Sequence, residues 1–302
     1  MANNQPKWLN CVQQSQILIN EPMANHTSFK IGGPAKAIIN PQSVEEIRSL
    51  VNALRAENIP FLVMGNGSNI LVDDDGLDAV VIKISDQLSS VVIEDEMVIA
   101  EAGVLLSKLS KVVMRASLKG FEFASGIPGT LGGAIFMNAG AYGGEMKDVV
   151  EWVEVLTHEG EIVRIAHADL AFGYRTSIVR EKHWIVLRVA LRFEKGDYTE
   201  IVEITNDLTK KRVSKQPLEL PSAGSTFKRP EGHYAGQLIE EAGLRGLRYG
   251  DAMVSEKHCG FVVNIGNATC QEVMALIGVI QKVVFDKFGV TLEREVRIFG
   301  KE

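Results

Sequence analysis

The order of apolar patterns in this 302-residue chain predicts a fold of mixed strands and helices. Three observations carry that reading. An apolar run, an amphipathic helix pattern and a second apolar run follow one another across residues 35–65, as in a βαβ unit. Residues 80–193 are dominated by alternating or continuous apolar stretches of strand length. Residues 198–302 turn helical and charged, with shorter strands between.

Residues 1–30 read as a polar arm with room for a short helix. AKAIIN (35–40) is a strand. Ser43-Val44-Glu45-Glu46 is a capping-box signature, and Val44, Ile47, Leu50, Val51 and Leu54 then share one helical face. Pro60 follows that helix, and FLVMG (61–65) is a buried strand running into GNGSN (65–69). VVIKI (80–84), the stretch 91–103 and the stretch 152–165 read as strands, the last with a hairpin turn at Glu159-Gly160. Leu105 to Lys119 reads as a helix ended by Gly120, and IVLRVALRF (185–193) as a half-buried strand. Tyr198–Val213, Ala235–Ala242 and Cys270–Phe288 read as helices, the last two stopped by Gly243 and Gly289. FVVNIG (261–266) and LEREVRIFG (292–300) are strands, and residues 215–229 a loop. The expected divisions are an N-terminal arm 1–24, then 25–79, 80–197 and 198–302.

Composition excludes several classes. The net charge of −6 gives no basic face for nucleic acid; the short cluster Lys210-Lys211-Arg212 is solvated surface or an anion site. Cys11, Cys259 and Cys270 form no C-x-x-C and leave an odd thiol, which favours a reducing compartment and buried, inert thiols. No histidine spacing suits zinc, so no metal is expected. No signal-peptide core and no apolar run of about 18 residues is present, so a cytoplasmic protein without membrane insertion is expected.

Chemistry concentrates in five places. Gly120 to Gly144 holds eight of the 28 glycines in 25 residues, interleaved with Ile127, Leu131, Ile135, Phe136 and Met137. Such a segment is too glycine-rich for ordinary secondary structure and too apolar for a linker, so another group must approach its backbone closely. Gly65-Asn66-Gly67-Ser68-Asn69 follows a strand and is either a tight turn or a phosphate cradle; it satisfies neither the P-loop nor the dinucleotide fingerprint. Two such segments favour a large dinucleotide. FGYRTS (172–177) offers an arginine suited to a carboxylate or phosphate, or to plain surface. PSAGSTFK (221–228) is a small-residue loop ending in a hydroxyl pair and is no hydrolase elbow. Glu295 and Arg297 share one face of the final strand.

Taken in order, NHTSFKIGGPA, GNGSNILV, ASGIPGTLGGAIFMNAGAYGGE, FGYRTS, PSAGSTFK and EREVRIFG resemble the UDP-N-acetylenolpyruvoylglucosamine reductase family across some nine-tenths of the chain. The resemblance implies an FAD-binding domain of the vanillyl-alcohol oxidase and p-cresol methylhydroxylase type in two subdomains, 25–79 and 80–197, followed by a smaller α+β substrate domain. It also implies the shorter of the family's two subgroups, because no long insertion follows Tyr174-Arg175.

Residue by residue, the resemblance implies Arg175 as catalytic arginine, Ser225 as proton donor and Glu295 as catalytic glutamate. It implies FAD contacts from Gly65, Asn66, Gly67, Ser68, Asn69, Ser125, Gly126, Ile127, Pro128, Gly129, Gly132, Gly133, Asn138 and Gly140. Substrate contacts fall to Tyr174, Lys215, Lys228, Arg229, Arg245 and His258; at Arg229 the family's other subgroup has asparagine. The implied partners are NADPH and UDP-N-acetylglucosamine-enolpyruvate, with a monomer favoured. The competing readings are a flavin-dependent alcohol or phenol oxidase and a non-catalytic UDP-sugar-binding protein. AGSTFK and EREVRIFG disfavour the first, and joint retention of Arg175, Ser225 and Glu295 disfavours the second.

Overall fold

A computed structural model describes residues 6–300. The chain divides into two compact units. The first comprises residues up to 18, 37–66 and 79–212; the second comprises 19–36, 67–78 and 213 onwards. Counting strands of three residues or more, the chain runs through β1 (Ile17–Pro22), β2 (Pro34–Ile39), α1 (Val44–Ala56), β3 (Phe61–Met64), β4 (Ile70–Val72) and β5 (Leu77–Lys83). It continues through β6 (Val91–Glu94), β7 (Met97–Glu101), α2 (Leu106–Arg115), α3 (Leu131–Phe136), β8 (Val150–Leu156), β9 (Ile162–Ala166), α4 (Ile178–Glu181) and β10 (Ile185–Arg192). It ends with α5 (Tyr198–Lys215), α6 (Ala235–Glu241), β11 (Ala252–Val254), β12 (Val262–Asn264), α7 (Cys270–Phe288) and β13 (Arg297–Phe299).

In the first unit, α1 buries Ile47, Leu50, Val51 and Leu54, the face its 3.6-residue period selects. Ser43 caps it by accepting from Glu46 N at 3.1 Å. The capping box is not reciprocal, because the Glu46 carboxylate turns instead to Gln42 N and Gln16 Nε2, both at 2.7 Å. β5 lies between β2 and β3, so β3 pairs in parallel with β5 and the expected βαβ strands are not neighbours. A five-stranded antiparallel sheet follows, in the order β9-β8-β10-β7-β6. Its inner face supplies Val98, Ala100, Val153, Val155, Val189 and Leu191 to the core.

Three expectations need correction here. Residues 6–24 are not a free arm: Trp8 is buried in the core and Ile17–Pro22 is a strand. The helix from 105 ends at Arg115, because Ser117 turns left-handed (φ 55°) and Leu118-Lys119 pairs with Glu194-Lys195. Residues 91–103 form two strands, β6 and β7, turning at Asp95 (φ 57°).

The second unit is built on α7. Val273, Leu276, Ile277, Ile280 and Val284 line its buried stripe and meet Phe227, Leu238, Ile239, Val254 and Val262. The helix spans Cys270–Phe288 and stops at Gly289 in the left-handed conformation (φ 68°), as the sequence predicts. The expected strand 292–300 is regular only at β13, which pairs in parallel with β4.

Candidate active site

In the first unit, the glycines of 120–144 let protein approach protein. A Cβ on Gly65 would lie 2.0 Å from Thr130 Oγ1, so the first glycine of GNGSN packs on the second glycine-rich segment. A Cβ on Gly126 would lie 2.7 Å from Arg212 Cδ, and one on Gly132 3.0 Å from Ala102 Cβ. Several amides of the segment are already committed. Ser125, Ile127 and Gly129 donate to Glu122, Ala124 and Ile127 carbonyls, and Leu131 and Gly132 to those of Val104 and Ala102. The surface left over is small and uncharged: Pro128 and Gly133 are exposed and Ile127 half-buried. A Cβ on Gly133 would meet nothing closer than 3.6 Å. This apolar, side-chain-poor surface fits the face of a flavin ring system.

Beside it stands the FGYRTS loop. Gly173 and Thr176 exchange backbone hydrogen bonds of 3.1 and 3.3 Å, which puts Tyr174 and Arg175 at the tip. Arg175 is left-handed (φ 56°), and Arg180 Nη1 donates to its carbonyl. Its guanidinium stands 5.1 Å from the Tyr174 ring centroid, and Tyr174 is exposed. Ser177 is fully buried, donates to Phe136 O at 2.8 Å and caps α4. Asn138, expected at the cofactor, is buried and gives its amide to protein: Nδ2 donates to Gly173 O (3.0 Å) and Glu145 Oε2 (2.9 Å), and Oδ1 accepts from Lys147 N (3.0 Å). Burial alone would raise the Glu145 carboxyl; hydrogen bonds from Lys147 and Asn138, and the charges of Lys147 and Arg175, hold it below the usual range.

The second unit brings Ser225 and Glu295 together. Ser222 bridges to Val263, and Thr226 both donates its N–H to Gly260 O and accepts Val262 N on Oγ1, each at 2.9 Å. The loop is thereby pinned on either side of Gly224-Ser225. Gly224 is left-handed (φ 77°) with open space where a Cβ would stand, and the Ser225 hydroxyl has no protein partner among the described residues. Glu295 N donates to Thr226 O at 2.9 Å, which seats Glu295 one residue from Ser225 across the bridge Phe227–Arg294. Asn69 supports the same segment: its Nδ2 donates to Glu295 O (3.3 Å) and its carbonyl accepts Arg297 N (3.1 Å).

The expected substrate cations divide. Lys228 pairs with Glu293 at 2.8 Å, and Arg245 is engaged by Glu240 and the Glu256 carbonyl. Arg229 lies 4.1 Å over the Tyr234 ring. Lys215 ends α5 and is exposed, with no ion pair among the described residues. His258 Nδ1 accepts Gly260 N at 3.1 Å, which leaves the proton of a neutral ring on Nε2.

Residues 35–166 match the profile of an FAD-binding domain, and residues 216–299 that of the C-terminal domain of UDP-N-acetylenolpyruvoylglucosamine reductase. The UDP-N-acetylenolpyruvoylglucosamine reductase of Alkaliphilus oremlandii is 55% identical over 96% of each chain. That of Clostridioides difficile is 49% identical over 99% of this chain and 100% of its own. The chain belongs to the UDP-N-acetylenolpyruvoylglucosamine reductase family. The crystal structure of UDP-N-acetylenolpyruvylglucosamine reductase from Thermus caldophilus aligns with a TM-score of 0.80 at 36% identity, over 94% of this chain and 98% of that one. The fold is α+β, with an FAD-binding domain followed by a reductase C-terminal domain.

The supports around Arg175 and Glu295 are not legible in the motifs. Thr130, Glu145, Ser177 and Arg180 carry no expected role, although a hydroxyl before the apolar Ile178-Val179 is an N-cap signal. Asn69 and Asn138, both expected at the cofactor, also hold backbone near Glu295 and at the base of the Arg175 loop. Among the described residues no helix is long and apolar enough to cross a membrane.

Proposed function

We propose that this chain reduces the enolpyruvyl ether of UDP-N-acetylglucosamine-enolpyruvate to UDP-N-acetylmuramate, a peptidoglycan precursor, with FAD resident, NADPH as electron source, and a monomer working in the cytoplasm. The observation that carries the reading is near-full-length identity of 55% to a UDP-N-acetylenolpyruvoylglucosamine reductase. Bound FAD supplies the hydride chemistry, from the nicotinamide to the β-carbon of the enolpyruvyl group. The side chains named above supply the rest.

Hydride arrival at C3 drives negative charge onto C2 and the carboxylate. Arg175 is the cation assigned to that charge, and a guanidinium suits a carboxylate through paired N–H donors. Ser225 is assigned the proton delivered to C2. Its hydroxyl is uncommitted among the described residues, and the enolate is basic enough to take a proton from so weak an acid. Glu295, held one residue away by the Thr226 hydrogen bond, is assigned to orient that delivery. The uridine diphosphate draws on cations. Lys215 is the readiest of those expected, since Lys228 and Arg245 already face Glu293 and Glu240.

Two half-reactions test the reading. With Ser225→Ala, bleaching of the flavin by NADPH stays within about twofold, while reoxidation by the enolpyruvyl substrate slows by roughly 10²–10⁴. Equal losses in both steps in stopped-flow absorbance would remove the proton-donor role. An oxidase would instead reoxidise its flavin with oxygen faster than with the enolpyruvyl ether, and a binding protein would show no NADPH turnover.

A further inference from the structure

We propose that Asn138 is a positioning residue for Arg175, linking the glycine-rich segment to the FGYRTS loop, rather than a contact to the cofactor. The inference rests on the assignment of Arg175 to the reduction, and its ground is hydrogen-bond accounting. Asn138 is 1% exposed, so every polar atom of its side chain must find a protein partner or carry the cost of going unpaired. Both amide hydrogens go to Gly173 O and Glu145 Oε2, and the amide oxygen takes Lys147 N. Both N–H groups of the amide are thus committed to protein, and its oxygen already holds one donor.

What the amide holds is the base of a strained tip. Gly173 O also accepts Thr176 N, so one carbonyl ties Asn138 to the turn that presents Tyr174 and Arg175. Arg175 sits at φ 56°, a conformation that costs a non-glycine residue on the order of 1 kcal/mol or more and persists only when its surroundings over-determine it. Asn138 itself is left-handed (φ 44°), as asparagine tolerates best after glycine, and this turns its side chain back toward the loop. Ser177 Oγ on Phe136 O makes a second tie between the same two segments. Glu145 completes the arrangement as the acceptor that orients the Asn138 amide, and its carboxylate feels the charge of Arg175. Aspartate would put a carboxylate against Glu145, and glutamine would not fit the buried site.

The experiment uses the FAD-loaded protein and three readouts on Asn138→Ala. Trypsin cleavage after Arg175, followed by mass spectrometry, reports opening of the tip; it is expected to rise about tenfold, because cleavage tracks the opened population. Reoxidation of reduced flavin by the enolpyruvyl substrate is expected to fall about 10- to 100-fold, since misplacing a catalytic group by an ångström costs that much. The FAD dissociation constant is expected to stay within about twofold. Combined with Arg175→Ala, Asn138→Ala adds less than about twofold to the loss, because both act through one group. Glu145→Ala, at a half-exposed position that tolerates truncation, gives the same signature in weaker form and serves if Asn138→Ala does not fold. Unchanged trypsin cleavage in both variants, multiplicative losses in the double variant, or FAD affinity weakened more than about tenfold overturns the positioning role. Arg175→Ala with unimpaired reoxidation overturns the underlying assignment instead, and the trypsin readout then still reports whether Asn138 holds the loop.

Discussion

Burial sets the chemistry of single residues here more than sequence neighbours do. His258 and Cys259 are adjacent, yet the first is a hydrogen-bond acceptor for Gly260 N and the second is 3% exposed core. Burial, with the charges of Arg245 and Lys215 behind it, holds the His258 imidazole below its ordinary 6.5, against an opposing hydrogen bond to its own backbone and the charge of Glu240. The unfolded chain therefore takes up the proton first as pH falls. The stability His258 contributes is complete above pH 6.5 and is lost as pH drops through its depressed folded value. His258→Asn is accordingly expected to flatten the decline of Tm on the acid side of pH 6.5 and leave the alkaline side alone; an unchanged acid limb in a thermal series would refute it. The thiols follow the same logic. Burial, with the charges of Asp74 and Asp73, pushes Cys270 up to about 12, and burial also raises Cys259. Only Cys11 is half-exposed, so maleimide at neutral pH should label Cys11 in the folded protein and all three cysteines in denaturant. Rapid native labelling of Cys270 would contradict its burial.

The elements owe their ends to caps of two origins. Thr269 and Glu272 form a reciprocal capping box at the start of α7, which the local sequence contains in full. Asp74 adds a cap that it does not contain: its carboxylate accepts Cys270 N at 2.7 Å and Gln271 N at 3.1 Å from 196 and 197 residues away. A carboxylate at a helix N-terminus gains from both hydrogen bonding and the helix dipole. Asp74→Ala should cost about 1–2 kcal/mol in urea unfolding, and Asp74→Asn, which keeps an acceptor, less than half of that. Equal losses for both would mean that the charge alone matters. Helix α2 shows the reverse case. Gly120 is a visible stop, but the chain leaves the helix four residues earlier because Leu118 is buried and Leu118-Lys119 pairs with Glu194-Lys195. Local punctuation lost there to a tertiary strand pairing.

At the scale of the molecule, the ligand and the fold are linked. A cofactor that binds the folded chain alone stabilises it by mass action, about 2.7 kcal/mol at a hundredfold excess over its dissociation constant. Flavin-stripped protein should therefore melt lower, and FAD should restore Tm in a concentration-dependent way; a Tm indifferent to FAD would contradict a resident cofactor. Much of this was legible in the chain. The bounds of α7, the buried face of α1 and the hairpin at Gly160 follow from periodicity, caps and turn chemistry within a few residues of one another. The residues assigned to chemistry, Arg175, Ser225 and Glu295, were legible as motifs. What holds them was not. Asn138 finds Gly173 across 35 residues, Asn69 finds Glu295 across 226, and segments 19–36 and 67–78 cluster with residues beyond 213. By itself the sequence determined most of the elements and the family, because these depend on side-chain type and on neighbours a turn or two away. Only the tertiary structure decided which polar groups spend their hydrogen bonds on protein and which keep them for a ligand, because a buried amide is satisfied by whatever the fold brings within 3 Å of it.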